Sequence, residues 1–197
     1  MTPSIASSLG APARILPAFD RMSPARQVLA LILGTAFLAL ASHVQVPMFP
    51  VPMTMQTFAV TLIGALYGSR LGTLTVLAWL GEAMVGLPML AGGTAGLATF
   101  AGPTAGYLFS FPLAAFLVGW LVERGFANRM LPAFVVMCLG NALSLATGAA
   151  WLASLVGMEK AWLLGVAPFV LGGLLKSALG ASSLSLAGRA ASAFRRR

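Results

Sequence analysis

The sequence predicts an all-α integral membrane protein of six transmembrane helices, with both termini cytoplasmic and irregular outer loops that form a ligand pocket. Three observations predict it. Of 197 residues, 59% are hydrophobic and only 8% are charged, against about 45–50% and about 25% in soluble domains. So few charges could not cover a soluble surface, which excludes an ordinary globular enzyme, a disordered chain and a nucleic-acid-binding domain. Second, no formal charge occurs between Arg26 and Arg70, between Glu82 and Glu123, or between Arg129 and Glu159. One crossing takes about 20 apolar residues, so the first two runs can each cross twice. Third, ten of the twelve Lys and Arg residues fall on one side when the loops are alternated: Arg14, Arg21, Arg26, Arg70, Arg124, Arg129, Arg189, Arg195, Arg196 and Arg197. Lys160 falls opposite, and Lys176 lies inside the last span. Cytoplasmic loops are enriched in Lys and Arg, so the bias orients a multi-pass protein of the cytoplasmic membrane.

Taken in order, residues 1–26 are rich in Ser, Ala and Pro and carry no charge before Arg14. They lack the basic start and apolar core of a secretory signal and read as a flexible cytoplasmic tail. Residues 27–188 form the membrane domain, with spans near 27–46, 55–69, 70–89, 104–122, 130–152 and 161–187. Tyr67-Gly68-Ser69-Arg70-Leu71-Gly72 is a tight cytoplasmic connection between spans two and three. Residues 189–197 are a basic cytoplasmic tail. Two outer segments do not read as plain helix. In His43 to Thr57, Pro47, Pro50 and Pro52 fall within six residues; each lacks an amide donor and restricts its predecessor. The second segment joins Ala91-Gly92-Gly93-Thr94-Ala95-Gly96 to Gly102-Pro103-Thr104-Ala105-Gly106-Tyr107. Both are uncharged and rich in neutral hydrogen-bonding groups. Irregular backbone at membrane depth is tolerated where protein or a watery cavity satisfies it, so the two segments predict a pocket for a small polar molecule.

The chemistry the chain lacks narrows its function. Cys138 is the one cysteine, so neither an intrachain disulfide nor a zinc site of several thiolates can form. No phosphate loop is present, since Gly does not precede Lys in Gly172-Gly173-Leu174-Leu175-Lys176-Ser177, and no H-E-x-x-H or G-x-S-x-G motif occurs. His43 is the one histidine and has no acid near it in sequence. The chain reads as neither an ATPase nor another enzyme, without cofactor or metal.

Six motifs then occur in a recognisable order. They are Pro50-Val51-Pro52-Met53-Thr54-Met55-Gln56-Thr57, Gly68-Ser69-Arg70-Leu71-Gly72, Glu82-Ala83-Met84-Val85-Gly86-Leu87-Pro88, Gly92-Gly93-x-x-Gly96, Gly102-Pro103-Thr104-x-Gly106-Tyr107-Leu108, and Pro168-Phe169 followed by Gly172 and Lys176. Together they resemble the BioY family, the biotin-specific substrate-binding (S) components of energy-coupling-factor (ECF) transporters. The resemblance spans roughly residues 27–188. It implies high-affinity capture and uptake of biotin, and as partners a transmembrane coupling (T) protein and two cytoplasmic ATPases. Whether the subunit self-associates is left open. The family often carries Asp three residues before the last-helix Lys, where this chain has Gly173.

Against that background each candidate residue has a functional and a plainer reading. Lys176 would hold a ligand carboxylate or polar head group, or snorkel outward. Glu82 would accept from ureido N–H groups or pair with Lys176, or act as packing glue. Thr54 and Gln56 suit a ureido ring, which offers two donors and an acceptor; Thr54 and Thr57 are also candidate helix caps, and Thr57 is assigned to that role. Tyr107 and Trp151 would pack on the ligand or sit in an interfacial aromatic belt, to which Trp79, Trp120 and Trp162 are assigned. Asn141 would hydrogen-bond a neighbouring helix or the ligand. Gly92, Gly93 and Gly96 permit close turns and would offer backbone amides to the ligand. His43 is read as interfacial. Ala30 and Gly34 are spaced for close helix approach; the resemblance implies that they dock the coupling protein. The competing functions are a self-sufficient secondary vitamin carrier using Glu82 and Lys176 as a proton relay, an S component for another vitamin, and a membrane-embedded enzyme.

Overall fold

The computed structural model describes residues 23–195, so most of the tail expected over 1–26 lies outside the described residues. Helix α1 (Pro24–His43) begins at Pro24, whose fixed φ suits a first helical position. Two short antiparallel strands follow, β1 (Gln45–Val46) and β2 (Met53–Thr54), and then α2 (Gln56–Met84). Short 3-10 turns at Ala91–Gly93 and Leu97–Ala101 lead into α3 (Ala105–Glu123), α4 (Met130–Val156), α5 (Met158–Gly165) and α6 (Ala167–Arg195). Among the described residues five segments are long and apolar enough to cross a membrane: α1, α2, α3, α4 and Met158–Ala190. The expected boundaries of the helices that flank the irregular segments shorten, since α1 ends at His43 rather than 46, and α2 ends at Met84 rather than 89. Helix α6 runs past the expected domain boundary at 188.

The expected connection between spans two and three is a reversal inside α2. Gly68 has φ 82° and ψ 177°, a conformation that only glycine adopts readily. A Cβ on Gly72 would lie 3.0 Å from Gly64 Cα and 3.2 Å from the Ile63 carbonyl. Residues eight apart in a straight helix are separated by about 12 Å, so the two limbs, 56–67 and 69–84, fold back on each other. Each limb is shorter than the roughly 30 Å of a hydrocarbon core.

The reversal is held by α3. Glu123 accepts from the Ser69 amide (3.0 Å) and the Ser69 hydroxyl (2.9 Å), placing a carboxylate where the second limb exposes free amides. A Cβ on Gly119 would lie 2.5 Å from Ser69 N and 2.6 Å from Gly68 C. Backbone thus packs on backbone, as small residues allow in membrane bundles.

The same logic orients α1. The Tyr67 hydroxyl donates to the Ala30 carbonyl at 3.0 Å, and a Cβ on Gly34 would lie 2.5 Å from Thr75 Cγ2 and 3.1 Å from the Tyr67 ring. Ala30 and Gly34 are therefore buried between α1 and α2. This corrects the expectation that they form a docking face; α1 turns Leu29, Ile32, Leu33 and Leu40 outward instead. These contacts set Arg26, Arg70, Arg124 and Arg129 toward one end of the bundle. The two irregular segments and the start of α5, with Lys160, lie at the other.

Two glycine substitutions should differ in sign. Gly119→Ala meets backbone that cannot yield and should lower stability by about 1–3 kcal/mol. Gly81→Ala, at the opposite end of the second limb with nothing within 4 Å of its Cβ, should be neutral or stabilising by up to about 1 kcal/mol. Thermal unfolding of both variants in detergent checks the contrast.

Candidate functional site

The two irregular segments close over a cavity of about 250 Å³. That is slightly below the usual size of drug-sized ligand sites, about 300–1,000 Å³, and suits a small ligand. Val51, Pro52 and Thr54 come from the proline segment, and Gln56 and Thr57 from the start of α2. Leu90, Ala91, Thr94, Thr99 and Thr104 come from the glycine segment. Helix α3 adds Tyr107, Leu108 and Phe111; α4 adds Cys138, Asn141 and Leu145; α6 adds Phe169, Gly173, Lys176 and Ser177. No acidic residue lines it among the described residues.

The walls are tied by hydrogen bonds that orient the polar groups. Thr54 Oγ1 donates to Gln56 Oε1 (3.1 Å) and accepts from the Gln56 amide (3.2 Å). Gln56 Nε2 donates to Ser42 Oγ (3.2 Å), whose own hydroxyl donates to the Leu38 carbonyl (2.7 Å). The proline segment is thereby fastened to α1. Opposite, Asn141 Nδ2 donates to Ser177 Oγ (3.0 Å), linking α4 to α6. Tyr107 sends its hydroxyl to the Gly165 carbonyl (2.8 Å) at the α5–α6 break. Its ring packs directly on Gly148 and lies 6.4 Å from that of Phe169. Lys176 Nζ lies 3.5 Å from Thr57 Oγ1, so the ammonium faces the cavity side of α6 beside a neutral hydroxyl.

Of the sequence-predicted residues, Thr54, Gln56, Tyr107, Asn141 and Lys176 meet at this cavity. Four do not. Glu82 lies outside the lining; its Oε2 is buried without a hydrogen-bond partner, and no ion pair joins it to Lys176 among the described residues. Gly92 and Gly93 turn away from the cavity. A Cβ on Gly92 would lie 2.7 Å from Gln45 Nε2, and one on Gly93 3.7 Å from His43. Their positive φ values of 63° and 78° shape the loop, while neighbours Leu90, Ala91 and Thr94 supply the wall. Trp151 faces a shallow groove between α3 and α4 and donates from Nε1 to the Gly102 carbonyl at 3.0 Å. Its task is to hold the loop rather than the ligand.

Two roles are reassigned. Thr57 makes no cap and lines the cavity; Met55 occupies the N-cap position without a side-chain bond. Trp79 belongs to no aromatic belt: it is fully buried, stacks on Phe111 at 6.0 Å and donates to the Met89 carbonyl at 3.0 Å. It backs the cavity wall. Sequence reasoning missed Ser177 and Phe111; Ser177 stands next to Lys176, and its spacing from Asn141 across two helices carries no local signal.

Residues 13–193 match the BioY family. A protein of Pyrococcus horikoshii named "Probable biotin transporter BioY" is 34% identical over 78% of this chain and 91% of its own. One from Lactococcus lactis subsp. cremoris named "Biotin transporter BioY2" is 34% identical over 75% and 81%. In three dimensions the chain is similar to the crystal structure of the S-component for biotin from an ECF-type ABC transporter, with a TM-score of 0.73 and 26% identity, over 89% of this chain and 95% of that one. A match that runs through both loops and all the helices described here makes this chain a member of the BioY family.

Proposed function

We propose that the chain captures biotin at the outer face of the cytoplasmic membrane as the S component of an ECF-type ABC transporter. A transmembrane coupling protein and two ATPase subunits then drive release inside. The observation that carries this reading is a small, largely apolar cavity whose lining holds one cation, Lys176, and no acid among the described residues. Biotin has complementary parts: an apolar ring and chain, a neutral ureido group and one carboxylate. Thr54, Gln56 and Asn141 supply neutral hydrogen bonding, Tyr107, Phe111 and Phe169 supply apolar faces, and Lys176 supplies the charge. Its relatives' names and the S-component fold support the same ligand and the same partners.

The orientation follows the charge. The end holding Arg26, Arg70, Arg124 and Arg129 faces the cytoplasm, which turns the cavity outward and puts both termini inside. Counting the two limbs of α2 as separate spans gives six, the irregular outer segments completing the membrane thickness that the short limbs leave. The apolar outer faces of α1 and α6 contact lipid or the coupling protein. A proton-relay carrier has less support, since Glu82 lies outside the cavity.

Lys176→Ala should weaken biotin binding by about ten- to a hundredfold, the scale of a hydrogen bond to a charged group, while a biotin methyl ester loses little. Titration calorimetry on the purified chain compares the two ligands; equal losses would remove Lys176 from the carboxylate. In proteoliposomes, biotin should accumulate against its gradient when coupling protein, ATPases and ATP are present. Accumulation driven by a proton gradient with the chain alone would establish the carrier instead.

A further inference from the structure

The two side-chain amides in the cavity are wired differently. Gln56 has a protein partner at each end, Thr54 at its oxygen and Ser42 at its nitrogen. Asn141 uses both N–H groups on the protein: one donates to the Met137 carbonyl at 3.1 Å, the other to Ser177 Oγ at 3.0 Å. The orientation is forced. A backbone carbonyl only accepts, so it must face Nδ2. The Ser177 hydroxyl proton is already directed to the Gly173 carbonyl at 2.8 Å, leaving Oγ as an acceptor. Flipping the amide would set oxygen against oxygen at the Met137 carbonyl and would take the Ser177 proton away from the Gly173 carbonyl. Among the described residues no donor reaches Asn141 Oδ1, and Asn141 is part of the cavity wall. Its nearest charged neighbour in that wall, Lys176, is the residue beside Ser177 and is engaged with Thr57.

We propose that Asn141 is the specificity-determining acceptor of the cavity, reading an N–H donor on the captured ring, and that Ser177 is its positioning residue. This rests on the biotin reading and names the ligand group concerned, one of the two ureido N–H groups. A site built around a fixed acceptor rejects a ligand lacking the donor, because the buried oxygen is then left without a partner. Ser177 is fully buried and acts through Asn141 by accepting its second N–H, which fixes the direction of the side chain and so of Oδ1.

The test measures binding to the full chain in lipid nanodiscs of biotin and of two analogues methylated at one or the other ureido nitrogen. The wild-type chain should bind one analogue at least about tenfold more weakly than biotin. In Asn141→Leu, which keeps the branched shape and removes the acceptor, that gap should shrink to about twofold. Ser177→Ala should narrow it by several fold, and Ser177→Thr, which keeps the hydroxyl, should restore it. A merely structural role for Ser177 would weaken all three ligands together. An unchanged gap in Asn141→Leu, or no gap in the wild type, overturns the inference while leaving biotin capture intact. Absence of biotin binding to the wild type overturns both. If Asn141→Leu fails to fold, the Ser177→Ala and Ser177→Thr pair decides: a gap that Ser177→Ala leaves unchanged overturns the inference.

Discussion

Hydrocarbon offers no hydrogen bonds, so every break in a helix at membrane depth must be mended from inside the protein. This constraint organises the end of the structure that holds the two irregular segments. Each irregular segment is fastened by a side-chain donor from a regular helix. Gln56 holds the proline segment to Ser42 of α1. Trp79 and Trp151 hold opposite ends of the glycine segment through the carbonyls of Met89 and Gly102. Tyr107 holds the α5–α6 break through Gly165. The cavity is the space these repairs enclose. Its polar groups are therefore pre-oriented, which lowers the ordering cost of binding a small ligand.

The opposite end answers a different demand, close approach without a hydrophobic driving force between helices. Glycines supply it where backbone meets backbone: Gly64 on Ala115, Gly119 on the Gly68 reversal, Gly72 on Gly64. Glu123 then locks the reversal through Ser69. Because α3 contacts both limbs of α2 at their shared end, it fixes the height at which Phe111 meets Trp79 further along the same helix. The packing at one end thus determines part of the ligand wall at the other.

How far the sequence could be read follows from where information is local. Helices α3 and α4, expected over 104–122 and 130–152, are found over Ala105–Glu123 and Met130–Val156, because polar and glycine-rich connections mark their ends. The reversal at Gly68 and the two broken segments are likewise written in short runs of Gly and Pro. What could not be read is which face of a helix points inward. In a membrane both faces are apolar, so Ala30 and Gly34 gave no sign that they pack on Tyr67 and Thr75, nor Trp79 that it is core. Gly92 and Gly93 were legible as turn formers, yet which side of the turn faces the ligand depends on Gln45 and His43, far away in sequence space but adjacent in the fold. The Asn141–Ser177 link depends on two helices meeting and is invisible to any local pattern.

Lys176 carries the remaining argument. A lysine within a membrane span is costly, by about 2.5–3.5 kcal/mol near the centre on insertion scales, and is kept where it faces a cavity or a partner. The resemblance to the BioY family sets an Asp three residues earlier in many members, one helical turn away and able to neutralise such a lysine. Here that position is Gly173, which lines the cavity with nothing within 4 Å of where its Cβ would be. The acid is thus replaced by open volume rather than by another side chain, and Thr57 offers the ammonium only a neutral dipole. On the proposed function, the compensation of this half-buried cation is left to the carboxylate of the ligand, which would meet the ammonium without competing with an internal carboxylate among the lining residues.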